Sequence, residues 1–506
     1  MVLADTSKGD IGWKKWLVAG WAFMECLFFA GLLYGWASIN FVLKSEGIYA
    51  DLCEDTVNSS FLTYSVNNSE SSVVNVVMLN ATTTSSNMSE VSAKKQPCKP
   101  QDSKMALCFT VGSAMFCIGC AVLGYIHFRF GTRVTRLISF TMFVSGTLMM
   151  AFISKENPWL MFPGLSLMGT GGLPILVTNT QVSNLFLAGS SSVVGLLCGG
   201  FDMSSAVMLI VKIAYENGFS RMNMFIIITV MHSLFLVSTF FFLPKDFISK
   251  PVVKQGMESE IPEDGEAGIE LLKQNNQTGE GTAAKTELPS LLSCLKQTKF
   301  ITHVIWLCIL QLRFYYILGT LNPYLNRILD GDEKQVSYFT DICFYIMMGG
   351  LLTSFLSGIV YDSQKRVFSD GKSQMYREIM PAVLPLALAS GLSVLLSILV
   401  LIPVTEVLYL TFIVMTVYRS FLYSLGAAFL SAIFPSEYFG MLYGIMIVCA
   451  GIFSILQYAF FSWAEAYPEA PLHANIFLLC LVLFSFVHPL YLWITCWKEE
   501  KKFKVN

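Results

Sequence analysis

A chain of 506 residues with 54% hydrophobic and 13% charged side chains is no ordinary soluble domain, which carries roughly 25% charged residues. Its mean hydropathy is +0.59, and its 40 phenylalanines suit a surface facing lipid. A net charge of −2 gives no sign of a nucleic-acid binder, which needs a clustered basic surface.

The first residues, Met1 to Gly12, are short and polar. The apolar run after them outlasts a signal-peptide core of roughly 7–15 residues and lacks a small-residue cleavage pattern. It reads as a retained membrane helix. A bilayer core needs roughly 20 apolar residues per helix. Twelve runs qualify: 16–43, 104–127, 134–154, 159–184, 191–215, 222–243, 299–322, 337–361, 380–402, 406–431, 441–463 and 474–497. The fold expected is an all-α membrane protein with an N-terminal segment 1–15, six helices in 16–243, a linker 244–298, six helices in 299–497 and a tail 498–506.

The loop 44–103 holds four Asn-x-Ser/Thr glycosylation acceptors, Asn58, Asn67, Asn80 and Asn87, together with Cys53 and Cys98. On an oxidising exterior those two cysteines can pair. Lysines and arginines gather in the alternate loops, at Lys8, Lys14 and Lys15, at Arg129, Arg133 and Arg136, at Lys365, Arg366, Lys372 and Arg377, and at Lys498, Lys501, Lys502 and Lys504. That bias predicts that both termini are cytoplasmic, as an even helix count requires. The linker is rich in Glu, Gly, Lys and Thr and poor in aromatics, a composition that predicts disorder.

Ionisable groups in hydrocarbon are costly and mark function. Glu25 lies in the first run, Asp202 and Lys212 in the fifth, Arg313 in the seventh and Arg419 in the tenth. At a rise of about 1.5 Å per residue, all but Lys212 fall near the midplane. Lys212 lies near the outer end and is expected to snorkel. The fourth run adds Asn179, Gln181 and Asn184, the fifth Ser204 and Ser205, and the seventh Gln311 one turn before Tyr315. Two readings stay open: acid–arginine pairs that hold helices together, or contacts to a solute and its gates. The five histidines sit mostly near helix ends, and Gly169, Gly171 and Gly172 read as close-packing positions. There is no nucleophile elbow, metal-ligand cluster or phosphate-binding loop, so neither enzyme activity nor a cofactor is expected.

Two loops repeat at equivalent positions. Gly124 to Arg133 reads GYIHFRFGTR, and Gly358 to Arg366 reads GIVYDSQKR. Both resemble the G-x-x-x-D-R-x-G-R-R loop of the major facilitator superfamily, whose two six-helix halves move around a central site. Phe128 stands where that loop has Asp, and Ser363 stands where it has Arg. The resemblance implies gating roles for Arg129 and Asp362.

Glu25-Cys-Leu-Phe-Phe-Ala-Gly-Leu-Leu-Tyr-Gly-Trp36, Arg419-Ser-Phe-Leu-Tyr423 and Phe434-Pro-Ser-Glu437 together resemble solute carrier family 43. That family comprises transporters of large neutral amino acids and of nucleobases. Thr178-Asn179-x-Gln181, Phe201-Asp202-x-Ser204-Ser205 and Gly319-Thr-Leu-Asn322 are similar to its nucleobase branch, whereas Gln311-Leu-Arg313 is similar to its amino-acid members. The resemblance implies facilitated, sodium-independent, bidirectional movement of adenine, guanine and hypoxanthine across the plasma membrane, by a monomer. A planar base wants aromatic faces, here Tyr34, Trp36, Phe314, Tyr315 and Tyr418. For its edges it wants the groups of Asn179, Gln181, Gln311 and Asp202. A zwitterionic amino acid wants a cation and an acid, which Arg313 or Arg419 with Glu25 offers. Residue types alone leave both solutes open, beside a non-transporting receptor or lipid-handling protein.

Overall fold

The computed structural model describes residues 12–53, 98–186, 190–245, 248, 290–371, 373–434 and 438–505. Their regular structure is helical throughout. The four glycosylation acceptors and most of the linker lie outside the described residues.

Among the described residues, ten units are long and apolar enough to cross a bilayer, and one bent pair makes eleven. They are α1 (Trp13–Ala30 joined to Leu32–Ser45), α2 (Lys99–Ala151), α3 (Pro158–Leu185), α4 (Val193–Glu216), α5 (Arg221–Phe242) and α6 (Thr298–Gly319). After them come α7 (Glu333–Val367), α8 (Gln374–Val400), α9 (Val407–Ile433), α10 (Gly440–Ala464) and α11 (Ala470–Lys502). The count is one short of the twelve apolar runs because α2 takes in both the second and the third.

The 53 residues of α2 are interrupted at Gly131, where φ is 79° and ψ −176°. Glycine alone adopts that backbone at no steric cost. A straight helix of this length would measure about 80 Å, far more than the roughly 30 Å of a bilayer core. Both arms of α2 instead pack on α3. A Cβ on Gly112 would lie 2.9 Å from the Leu165 side chain, and one on Gly146 would strike the Met168 backbone. Residues 34 apart in sequence meet α3 at the same level, so the chain reverses at Gly131.

Two broken helices face each other. α1 is α-helical to Glu25, takes a π turn over Cys26–Ala30, breaks at Gly31, winds as a 3-10 turn over Leu32–Gly35 and bends by 45°. α4 breaks between Met203 and Ala206. Gly31 and Gly35 make the approach possible, for a Cβ on them would fall 2.7 Å from the Phe201 carbonyl oxygen and 2.8 Å from that of Ser205. At the α4 break the Ser204 hydroxyl donates to the Phe201 carbonyl (2.6 Å) and the Ser205 hydroxyl to the Asp202 carbonyl (3.3 Å). Such hydroxyls satisfy carbonyls that a break would leave bare in lipid.

The units before and after the linker form two blocks that meet along a seam of α1, α2 and α4 against α6, α7, α9 and α10. Lys212 sits in that seam, fully buried. Its ammonium lies 2.5 Å from Asp341 Oδ1, 2.6 Å from Ser337 Oγ and 3.3 Å from Glu216. Snorkelling is therefore overturned: beside Glu216 of its own helix, Lys212 is held by Ser337 and Asp341 of α7, in the other block. Arg136 is likewise no loop cation but a fully buried side chain of α2.

Candidate functional site

The first polar centre lies within the N-terminal block. Arg136 Nη2 pairs with Glu25 Oε2 at 2.9 Å and donates to Ser238 Oγ at 2.5 Å. Its Nη1 donates to Thr178 Oγ1 (3.0 Å) and Asn179 Oδ1 (2.8 Å), and its Nε to Thr239 Oγ1 (2.8 Å). The guanidinium lies 3.8 Å over the Phe235 ring. Glu25 also accepts from Asn179 Nδ2 (2.9 Å), Trp21 Nε1 (3.0 Å) and the Ser238 hydroxyl. Two of the expected site residues, Glu25 and Asn179, are thus engaged by a cation that the sequence had assigned to a loop.

The second centre spans the seam. Arg419 Nε lies 3.3 Å from Asp202 Oδ1, and Arg419 Nη1 donates to the Asp202 carbonyl at 3.2 Å. Asp202 Oδ2 accepts from Ser354 (2.9 Å) and Ser420 (3.4 Å). The guanidinium sits 4.2 Å over the Tyr34 ring. Tyr34 in turn places its hydroxyl 3.4 Å from those of Tyr315 and Tyr423. Phe116, Phe201 and Phe314 ring Tyr34 at centroid distances of 5.8, 5.7 and 6.1 Å.

Gln311 completes this centre. Its Nε2 donates to Cys117 Sγ (3.4 Å), which lies 3.7 Å from the Tyr315 hydroxyl. Gln311 Oε1 and Arg419 Nε and Nη2 are buried without a hydrogen-bond partner. One bare acceptor and two bare donors therefore flank a wall of aromatic rings. Burying such groups unpaired is costly, so they point to a polar ligand.

The other expected residues go elsewhere. Arg313 faces away from the seam, donating to Ser397 Oγ (2.9 Å) and Asn475 Oδ1 (2.8 Å) on α8 and α11. It lies two residues from both Gln311 and Tyr315, which puts it on the opposite helix face. Gln181 bonds the Thr132 hydroxyl (3.1 Å) beside the Gly131 reversal and accepts from the Ile248 amide (3.1 Å). Asn184 donates to the Ile248 carbonyl (2.7 Å). Ser204 and Ser205 bond their own helix, Tyr418 donates to the Leu310 carbonyl (2.7 Å), and Trp36 stacks on Phe109. Arg129 and Asp362 are exposed, the latter 3.6 Å from Lys365. Cys53 and Cys98 are joined as a disulfide.

Sequence reasoning missed Arg136, Cys117, Phe116 and Tyr423. Tyr423 had a signal, lying one helical turn after Arg419. Cys117 and Phe116 had none, being ordinary residues of an apolar run.

Long apolar helices meeting along a buried polar seam make a multi-pass membrane protein, and its named relatives make it a transporter with a small-molecule substrate. Known proteins supply the family. The chain is 32% identical over 498 residues to the equilibrative nucleobase transporter 1 of Bos taurus, covering 94% of this chain and 95% of that one. It is 24% identical to the large neutral amino acids transporter small subunit 3 of Homo sapiens, over 97% and 96% of the two chains. The Mus musculus form of the latter is 23% identical over the same shares. No family model matches the chain. With that identity and coverage, the chain belongs to solute carrier family 43.

Proposed function

We propose that this protein is a sodium-independent, equilibrative transporter of purine nucleobases in the plasma membrane. The observation that carries the reading is the closed charge of the seam. Asp202 balances Arg419, and Glu25 is engaged by Arg136 outside the seam. What is left for a solute is a neutral amide oxygen, two N–H groups and aromatic rings. Those suit a planar, uncharged base better than a zwitterion. The name of the bovine relative agrees with this reading.

On this proposal the two arms of α2 count as separate crossings. The chain then has twelve spans in two six-helix halves of the major facilitator type, with both termini cytoplasmic. The halves rock about Arg419–Asp202 as a monomer. Polar links between the halves at Lys212–Asp341, Asn322 to the Ala37 carbonyl (3.1 Å) and Gln457–Ser113 (2.9 Å) lie toward the disulfide end. This arrangement is the one expected when the exterior side is shut.

The second reading is a large-neutral-amino-acid transporter, favoured by the names of the human and mouse relatives. Uptake of labelled hypoxanthine and labelled leucine into cells overexpressing the chain separates the two. Saturable purine uptake that survives replacement of sodium supports the proposal. Saturable leucine uptake without purine uptake overturns it, and no saturable flux of either favours a non-transporting protein.

A further inference from the structure

Arg419 carries two hydrogen-bond donors that the protein leaves bare, and they lie on one edge. Nε–H and the Nη2–H beside it form the side-on prongs of the planar guanidinium. Both are buried without an acceptor, on a side chain that is 2% exposed. Nε is near enough to Asp202 Oδ1 for an ion pair, at 3.3 Å, but out of line for a hydrogen bond. The remaining nitrogen, Nη1, is engaged by the Asp202 carbonyl.

A rigid two-pronged donor is matched by two adjacent coplanar acceptors. Two chemistries present that pattern. One is a carboxylate, but the Asp202 carboxylate already stands beside the fork and repels a second. The other is the N7 and 6-oxo pair on one edge of an oxopurine, which arginine reads bidentately. Adenine offers N7 as acceptor but an amino group, a donor, in place of the oxygen. One prong would then meet a donor and stay unpaired. The fork is buried in this conformation, with the guanidinium 4.2 Å over the Tyr34 ring, so a base reaches it when the halves part. Gln311 Oε1 is the bare acceptor for N–H groups on another edge of the base.

We propose that Arg419 is the specificity-determining residue of the seam and selects 6-oxopurines, hypoxanthine and guanine, over adenine through their N7 and O6 atoms. This rests on the purine reading above. The step is binding alone, with no bond made or broken.

The test is competition against labelled hypoxanthine uptake in cells expressing the full chain. Adenine and 7-deazahypoxanthine, which lacks the N7 acceptor, should each need about tenfold or more the concentration of unlabelled hypoxanthine for half-inhibition. In Arg419→Lys the charge beside Asp202 is kept but the fork is lost, so the adenine-to-hypoxanthine ratio should collapse to about one. Half-inhibition by 7-deazahypoxanthine or adenine at the hypoxanthine concentration overturns the proposal. So does an Arg419→Lys protein that keeps the full ratio. The analogue measurements use the natural protein and stand even where the variant fails to reach the membrane. Absence of any saturable purine uptake by the natural protein is a different result: it removes the purine reading itself.

Discussion

Arg136 and Glu25 lie 111 residues apart in sequence and 2.9 Å apart in space, both buried. Breaking a buried pair by removing one partner typically costs about 3–5 kcal/mol, whereas replacing both with well-packed apolar residues is often neutral. Thr178, Ser238 and Thr239 each keep a backbone carbonyl as partner, so loss of the arginine does not strand them. Arg136→Met should therefore lower the melting temperature of the detergent-purified protein sharply, and Arg136→Met with Glu25→Leu should recover most of the loss. Transport that returns with stability would make Glu25 a structural partner. A stable double variant without transport would make it a solute contact or gate.

This pair also marks how far the sequence could be read. Hydropathy exposes runs of about twenty apolar residues, and so the helical membrane architecture, because that signal is local. Which face of a helix a lone charge takes is not local. Arg129 and Arg136 looked alike near one loop, yet the first is exposed and the second is held by Glu25 of α1, Thr178 and Asn179 of α3, and Phe235, Ser238 and Thr239 of α5. Lys212 was judged from its depth alone, because the acid that meets it across the seam, Asp341, lies 129 residues on. Arg419 and Asp202 were legible as midplane charges, and the bare edge of the guanidinium was not, since it depends on geometry across the seam. The reversal at Gly131 shows the reverse case: a loop read from its basic residues is a single left-handed glycine between two helical arms.

Lys212 ties α4 to α7 toward the disulfide end through Asp341 and Ser337. If the halves must part there in each cycle, this knot sets the balance between closed and open. Lys212→Met leaves the half-buried Asp341 without the cation that joins it to α4, and flux should fall about tenfold at unchanged surface expression. The exchange Lys212→Asp with Asp341→Lys should restore at least part of it. An exchanged protein no better than Lys212→Met would sink the idea that the pairing itself matters.

Gly172 on α3 packs against the π turn of α1, where a Cβ would stand 2.6 Å from the Phe29 carbonyl oxygen and 2.7 Å from that of Ala30. Neither neighbour is a flexible side-chain end. Gly172→Ala should thus destabilise by about 1–3 kcal/mol, as overpacking does. Gly124 is the control, for its Cβ would meet nothing within 4 Å. There an alanine should stabilise slightly, by about 0.5–1 kcal/mol of helix propensity. Thermal unfolding of the two variants side by side checks the contrast, and equal effects would refute the close approach.

Closed charge at the seam can be tested by opening it. Asp202→Asn keeps nearly the same shape, and its amide can still accept from Ser354 and Ser420, so the local geometry should hold. What changes is the sign of the site: Arg419 loses its balancing carboxylate. Two unit charges about 4 Å apart interact by roughly 4 kcal/mol at an effective dielectric near 20, an upper measure of what Asp202 contributes against an incoming anion. In the natural protein, purine-6-carboxylate should therefore compete poorly with hypoxanthine, because Asp202 repels it. In Asp202→Asn its half-inhibiting concentration should drop at least tenfold relative to that of hypoxanthine, while uptake of the neutral base slows. The same ranking of the two ligands in both proteins would mean that Asp202 does not set the charge a solute meets. Its pairing with Arg419 would then be a helix-to-helix tie alone.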